Sequence, residues 1–127
     1  MIEIAENSTL ITLLDNPTDT ILDTEIKSIK LYSDEDNLII VDVVLKMREK
    51  SQFDILKLSF IDVEKYAFDH SKEYNFSDVE QVKFFETKEQ KYYICFDPYD
   101  EAPVILDNDN DFILSNKIIG YVVYRTK

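Results

Sequence analysis

The sequence predicts an α+β fold, mainly an antiparallel β-sheet of about six to eight strands with one or two short helices. Apolar and polar residues alternate over short runs, as they do in half-buried strands. Turns rich in Asp, Asn and Ser interrupt these runs about every 8 to 15 residues. A β-sandwich is the alternative architecture. Because 127 residues is close to the commonest domain size, we expect residues 1–127 to form a single domain.

The first part of the chain contains one predicted helix and one predicted hairpin. The helix spans residues 8–15, where Asn7 or Ser8 can cap the first turn and a proline follows the end. The hairpin is formed around an acidic turn at residues 33–37, and the clearest strand of the sequence follows this turn over residues 38–48. The apolar residues on one face of that strand are Ile39, Val41, Val43, Leu45 and Met47.

The middle of the chain predicts a third strand and a second hairpin. Apolar and polar residues alternate over residues 56–60, whereas residues 61–68 fit either type of element. Residues 77–80, Ser-Asp-Val-Glu, have the spacing of a capping box and predict the start of a helix. Residues 82–97 predict a hairpin with its turn near residues 88–90.

The last part of the chain predicts three short strands. Residues 104–106 and 112–114 flank a turn of Asp and Asn at residues 107–111. Residues 118–124 form the final strand and carry apolar residues on both faces. Since a strand that is apolar on both faces is covered on both sides, we expect this one to be central in the sheet.

Negative charge is concentrated in three segments of the chain. The formal net charge is −12, and 15 of the 26 acidic residues lie in residues 1–26, 34–36 and 97–111, which contain no Lys or Arg. The other positions carry 11 acidic and 14 basic residues. Clustered carboxylates repel nucleic acids and anionic membranes, and they attract basic proteins. We therefore expect a basic protein partner, and neither a nucleic acid nor a membrane.

Three features favour a cytoplasmic location. Cys95 is the only cysteine, so the chain lacks the internal disulfides that are common in small secreted domains. Residues 1–6 are acidic and do not have the basic and apolar regions of a signal peptide. The longest apolar run, residues 38–41, is far shorter than the roughly 20 residues that a membrane span requires.

The sequence contains no recognisable catalytic or cofactor-binding motif. Gly120 is the only glycine, which excludes nucleotide-binding loops built on repeated glycines. We expect His70, the only histidine, in a surface loop and Cys95 inside a strand, so these two residues predict neither a nucleophilic pair nor a zinc site. We therefore expect no enzymatic activity and no cofactor.

Residues 107–111, Asp-Asn-Asp-Asn-Asp, have the alternating oxygen donors that begin a calcium-binding loop. The rest of the loop does not fit. Phe112 stands at the sixth position, where glycine is required, and Ile118 stands at the twelfth, where a bidentate glutamate belongs. We therefore expect a solvated turn here and no metal site.

Residues 97–103 form an unusual loop with two prolines. Pro98 and Pro103 stiffen the loop, which reduces the entropy that it loses on docking. Tyr99 lies among carboxylates in the sequence. Its ring can either anchor a basic partner or fold back onto the sheet, and the sequence does not decide between these two positions.

Four features occur together along the chain: a short N-terminal helix that leads into residues 21–29, an acidic hairpin, residues 58–63 with the sequence Leu-Ser-Phe-Ile-Asp-Val, and Phe-Asp-Pro at residues 96–98. In this combination the chain resembles the immunity proteins, small acidic proteins encoded beside bacterial polymorphic or contact-dependent toxins. The resemblance implies stoichiometric inhibition, in which acidic loops dock on a basic toxin and cover its active site. The residues that we expect to contact the partner are Asp34, Glu35, Asp36, Asp97, Tyr99, Asp100, Glu101, Asp107, Asp109 and Asp111.

A second class of function is compatible with the same sequence. A structural or regulatory subunit would use a sheet edge or a tyrosine-rich face to assemble with itself or with another protein. An enzyme that works through carboxylates and a metal would instead need acidic residues that converge in a pocket. The sequence does not define the oligomeric state.

Overall fold

The computed structural model describes residues 1–73 and 77–126. In these residues the elements, in chain order, are β1 (Ile2–Glu6), α1 (Asn7–Leu14), β2 (Glu25–Ser33), β3 (Ile39–Lys46), β4 (Phe53–Ala67), β5 (Lys83–Glu86), β6 (Tyr92–Asp97) and β7 (Asn110–Tyr124). The strands form one antiparallel sheet in the order β2-β3-β4-β7-β6-β5, and β1 also pairs with β7. The predicted antiparallel sheet is confirmed. Since α1 is the one helix in the described residues, the fold is mainly β.

β7 is the strand around which the sheet is arranged. One edge pairs with β4 along nearly its full length, while the other edge pairs first with β6 and then with β1. The central position predicted for residues 118–124 is confirmed. Residues 112–114, predicted as a separate strand, belong to β7 as well, because the residues that join the two predicted strands stay extended. Among these, Ser115 is paired with Tyr92 on one edge and with Val63 on the other. Pairing on both edges satisfies the backbone groups that would otherwise favour a turn.

β4 is longer than the strand that the alternation over residues 56–60 predicts. Residues 61–67, whose pattern fits either element, continue the strand beyond the last pair with β3, Ile40 and Ile61. Asp62 has a positive φ of 58°, and the register with β7 shifts between Val63 and Lys65. This bulge lets β4 follow β7 past the end of β3.

Two predicted elements are wrong. Residues 77–80 form no helix, because Val79 is buried and its N–H donates to the Thr24 carbonyl (3.0 Å), which holds the segment extended beside the start of β2. Residues 104–106 form no strand and belong to the loop between β6 and β7. A capping box is a local signal, and here hydrogen bonds to a distant segment outweigh it.

The predicted N-terminal helix is confirmed as α1, although its cap is not. The side chains of Asn7 and Ser8 do not cap it, and the Asn7 side-chain oxygen instead accepts a hydrogen bond from the Ile118 N–H (3.0 Å). This bond attaches the start of α1 to β7. In the described part of the chain no helix has the length and apolar character needed to cross a membrane.

The core lies on the face of the sheet that α1 covers. Leu10 and Leu14 of α1 are buried against apolar residues of the sheet. The main inward-facing residues of the central strands are Val41, Val43, Leu45, Leu56, Leu58, Phe60, Ile118 and Val122. Of the strand residues 39–47 predicted to share one face, all but Ile39 are buried, because Ile39 lies beside the exposed turn of the β2–β3 hairpin, before the first pair of β3 with β4.

The two outer strands of the sheet approach each other through the segment that precedes β5. The Val79 carbonyl accepts a hydrogen bond from the Asp23 N–H (2.7 Å), and the Ser77 carbonyl accepts one from the Ile26 N–H (2.7 Å). β5 begins only four residues after Val79, a distance of at most about 14 Å in extended chain. The sheet therefore curls around α1, with a seam between β5 and the start of β2.

The contact between Leu10 and Gly120 predicts a steric cost for any side chain at position 120. A Cβ atom there would overlap Leu10 Cδ1 and lie 3.1 Å from Leu10 Cδ2. We expect Gly120→Ala to lower the free energy of unfolding, measured in urea, by about 1–3 kcal/mol. In a Leu10→Ala background the same substitution should cost less, because the overlapping atoms are gone. An equal cost in both backgrounds would contradict this explanation.

A candidate partner-binding surface

A buried carboxylate organises the loop that joins β6 to β7, residues 98–109, called here the β6–β7 loop. Asp109 accepts hydrogen bonds from the backbone N–H groups of Tyr99 (3.0 Å) and Leu106 (3.1 Å). It also accepts from the Tyr93 hydroxyl (2.8 Å) and from Lys83 Nζ, which lies 3.1 Å from both carboxylate oxygens. One side chain therefore holds both ends of the loop against the strands beneath it.

Lys83 provides the matching positive charge. Its side chain is only 1% exposed, and Nζ also donates to the Val104 carbonyl (2.8 Å) and lies 3.4 Å from an oxygen of Asp100. An ammonium group removed from water is costly unless it is both paired and hydrogen-bonded. The β6–β7 loop supplies both conditions through Asp109, Val104 and Asp100, so the loop must stay folded over Lys83.

The protonation states in this network follow from its hydrogen bonds. Burial alone would raise the pKa of Asp109, but the hydrogen bonds from Tyr99, Leu106, Tyr93 and Lys83 outweigh burial, and the pKa of Asp109 is lowered. Burial and the hydrogen bond to Asp109 raise the pKa of Tyr93, so its hydroxyl remains a donor. The network therefore holds a charged Asp109 and a neutral Tyr93.

The prediction of a solvated turn at residues 107–111 is wrong for two of its aspartates. Asp109 and Asp111 are buried, and Asp111 accepts a hydrogen bond from the Asp69 N–H (2.8 Å). Because these two carboxylates bond inside the protein, we no longer include them in the partner surface. Asp97 is half-buried, and burial together with the nearby Asp111 raises the pKa of its carboxyl group.

The β6–β7 loop exposes apolar and acidic side chains side by side. Tyr99 is 68% exposed, so its ring points to solvent and does not fold back onto the sheet. Val104 and Ile105 are also about half exposed, with 50% and 47% of their surface accessible. The exposed residues that we call the acidic loop surface are Tyr99, Asp100, Glu101, Val104, Ile105 and Asp107. Exposed apolar groups on a well-held loop are typical of protein-binding sites.

The acidic turn between β2 and β3 is held by one of its own aspartates. Asp34 accepts hydrogen bonds from the N–H groups of Asp36 (2.9 Å) and Leu38 (3.0 Å), the pattern of an Asx turn. Glu35 and Asp36 remain exposed, whereas Asp34 is half-buried. Two of the three predicted contact residues in this turn therefore present free carboxylates to solvent.

The two acidic loops lie toward the same end of the sheet. β3 and β7 run in the same direction, because each is antiparallel to β4 between them. The β2–β3 turn directly precedes β3, and the β6–β7 loop directly precedes β7. Among residues 1–73 and 77–126, no hydrogen bond or ion pair joins the turn at residues 34–38 to the loop. The predicted contact residues thus form two separate segments at one end of the molecule.

Cys95 and His70 do not form a reactive pair. Cys95 is buried in β6, its thiol donates to the Asn110 carbonyl (2.9 Å), and burial raises its pKa to about 11. The thiol is therefore protonated at neutral pH and is a poor nucleophile. His70 is exposed. No group of three or more His, Cys, Asp or Glu side chains is arranged to hold a metal ion in the part of the chain that the structure describes.

Comparison of the chain with protein-family models, curated protein sequences and solved structures finds no match. Any functional assignment therefore depends on the surfaces and contacts described above. Of these, the acidic loop surface alone combines exposed aromatic and aliphatic groups, free carboxylates and a backbone fixed by a buried ion pair.

Removing the charge of Asp109 should destabilise the protein strongly. Asp109→Asn leaves the Lys83 ammonium buried without its counter-charge, and we expect the free energy of unfolding in urea at pH 7 to fall by about 3–5 kcal/mol. Asp107→Asn is the matched control, since Asp107 is exposed and its replacement should change stability by less than about 0.5 kcal/mol. Equal effects of the two substitutions would show that the Lys83–Asp109 pair does not hold the loop.

The lowered pKa of Asp109 also predicts a dependence of stability on acid. A carboxylate whose pKa is lower in the folded state stabilises the protein above its unfolded pKa of about 3.9, and this contribution is lost as the pH falls further. We expect the free energy of unfolding to decline below about pH 4. The decline should be shallower in Asp109→Asn than in Asp107→Asn, and identical pH profiles would contradict the role of Asp109.

Proposed function

We propose that this protein is a non-catalytic binding protein that docks a basic protein partner on the acidic loop surface. The observation that carries the proposal is the β6–β7 loop, which exposes Tyr99, Val104 and Ile105 while Lys83 and Asp109 fix its backbone from below. A loop that is already ordered loses less entropy on binding than a flexible one. The Lys83–Asp109 pair therefore keeps the loop in a conformation in which its apolar side chains remain exposed.

The chemistry of the acidic loop surface matches a partner that is both basic and partly apolar. An exposed tyrosine is among the side chains that most often dominate the binding energy of an interface. The carboxylates of Asp100, Glu101 and Asp107 surround Tyr99 in the chain and would attract a basic surface and orient it. Apolar contact would supply affinity, and the carboxylates would supply association rate and selectivity.

The β2–β3 turn would extend this contact. A typical interface covers about 800 Å² of each partner, roughly a tenth of the 7645 Å² accessible surface of this protein. Such a patch is wider than one loop. Glu35 and Asp36 lie toward the same end of the sheet as the acidic loop surface, and a large partner would reach both.

In cellular terms the proposal is an immunity protein that neutralises a basic toxin in the cytoplasm by direct binding. The partner type follows from the resemblance of the sequence to immunity proteins and from the net charge of −12. Inhibition by occlusion requires no catalytic group on the inhibitor. The buried, protonated thiol of Cys95 and the exposed position of His70 are compatible with such a role.

A structural or regulatory subunit is the second candidate, and the sheet face opposite the core favours it. There the ammonium of Lys57 lies 4.6 Å from the ring centre of Tyr121, and that of Lys30 lies 4.8 Å from the ring centre of Tyr32. Tyrosines of this kind are enriched in interfaces. A salt-insensitive oligomer in size-exclusion chromatography with light scattering would favour this candidate.

Reversing two charges of the acidic loop surface tests the proposal. Glu101 and Asp107 are suited to reversal, whereas Asp100 is not, because it also faces Lys83 inside the protein. We expect Glu101→Lys with Asp107→Lys to weaken binding of the protein encoded directly upstream by at least about tenfold, measured by calorimetry. Tyr99→Ala should weaken it by about thirtyfold.

The matched control is Glu49→Lys with Glu89→Lys, which makes the same change in net charge at exposed positions outside the β6–β7 loop and the β2–β3 turn. This control should bind nearly as tightly as the unchanged protein in 150 mM salt. An unrelated basic protein serves as the reference for non-specific attraction. Equal losses in the two charge-reversed proteins would mean that overall charge, and not this surface, determines binding.

A further inference from the structure

The seam between β5 and the start of β2 contains an open cavity of about 270 Å³, called here the seam cavity. Three elements form its walls: the second half of α1, the segment that precedes β2, and the start of β5. The apolar lining residues are Ile11, Leu14, Ile21, Leu22, Val82 and Phe84. The polar ones are Asp15 and Thr20. The cavity lies on the core side of the sheet and belongs to neither acidic loop described above.

The seam cavity exists because the sheet does not close. In the described residues β5 pairs with β6 alone, and hydrogen bonds across the seam join residues 77–79 to residues 23–26 but do not reach β5 itself. The inner walls are nevertheless firm, since Leu14 and Ile21 are buried in the core. Most of the lining residues are apolar, and Asp15 and Thr20 add a polar part, so the cavity is suited to a small hydrocarbon group that carries a polar end.

The surroundings of the seam cavity are negative. Asp15 follows the last residue of α1, where unpaired carbonyl groups carry partial negative charge, and no basic residue lies in the last turn of the helix. In the described residues the Asp15 carboxylate takes part in no ion pair or hydrogen bond. Residues 1–26 contain no Lys or Arg, and the neighbouring depression is lined by Asp23, Glu25, Asp78 and Glu80. Lys27 lies 3.2 Å from Glu25, and Lys83, between the lining residues Val82 and Phe84, is buried against Asp109. The Arg48 guanidinium donates to the Pro17 carbonyl and forms no ion pair with Asp15 in the described residues.

We propose that the seam cavity binds a small cationic amphiphile, an ammonium group joined to a hydrocarbon chain. The hydrocarbon occupies the space between α1, residues 20–22 and Phe84, and the ammonium lies at the mouth beside Asp15. A cavity of about 270 Å³ lies at the lower end of the range for ligand pockets, about 300–1,000 Å³, so the ligand is small and a chain of about eight carbons is a suitable probe length. This site is independent of the acidic loop surface.

Three probes of equal chain length separate charge from apolar burial: n-octylammonium chloride, 1-octanol and sodium octanoate. We expect NMR titration to place all binding at the lining residues, with octylammonium at least about fivefold tighter than octanol and octanoate the weakest. Hexylammonium should bind about tenfold more weakly than octylammonium, because two fewer methylene groups are buried.

Two variants locate the site. Asp15→Asn should weaken octylammonium binding by about fivefold and leave octanol unchanged, because it removes only the charge at the mouth. Glu89→Gln, which also removes one negative charge at an exposed position, is the control and should have no effect. Leu22→Trp places a larger side chain at the exposed rim and should reduce binding of all probes by at least about tenfold.

Circular dichroism and urea unfolding establish whether Leu22→Trp is folded, and if it is not, Asp15→Asn and its control decide the question. Three results would overturn the proposal: no binding of octylammonium at millimolar concentration, octanoate binding as tightly as octylammonium, or equal losses in Asp15→Asn and Glu89→Gln. Binding of the protein partner does not enter this test. The seam cavity and the acidic loop surface can therefore fail separately.

Discussion

Lys83 carries a positive charge into the protein interior, and the shape of the β6–β7 loop depends on that charge. A buried ammonium needs acceptors on several sides, and the acceptors that Lys83 contacts lie in the loop. The loop provides the buried carboxylate of Asp109, the backbone carbonyl of Val104 and the half-exposed carboxylate of Asp100. The inner side of the loop is therefore anchored to the core, although its outer side faces water.

The position of each buried aspartate in this protein depends on donors from other parts of the chain. The buried aspartates are Asp19, Asp42, Asp109 and Asp111. Asp42 accepts hydrogen bonds from the hydroxyls of Tyr32 (3.0 Å) and Ser59 (2.6 Å) on neighbouring strands. Asp19 accepts from the Ser51 hydroxyl (2.7 Å) and so connects the segment before β2 to the β3–β4 turn. Four of the 26 acidic residues are thus part of the internal structure, and they include Asp109 and Asp111, two of the predicted contact residues.

The sequence predicts those elements whose signals are local. Alternation along the strand identified both hairpins, and the leucines of α1 identified the helix, because one face of each is buried in the core. It could not predict that Ser115 stays within a strand, since that depends on partners in β4 and β6. The sequence pattern also does not distinguish Asp107 from Asp109, although Asp109 is the one that binds Lys83, 26 positions away in the chain. Lys83 itself lies among alternating apolar residues, a pattern that predicts an exposed lysine.

Asp100 connects the interior of the β6–β7 loop with its outer surface. Its carboxylate is about half exposed, and one oxygen lies 3.4 Å from Lys83 Nζ. A cationic group of a partner that approaches Asp100 from solvent would share this carboxylate with Lys83. Coupling between two sites is reciprocal in free energy. If binding of the partner changes the free energy of the Lys83 network, altering that network must change the free energy of binding by the same amount. The fold and the proposed binding surface are therefore coupled through one side chain.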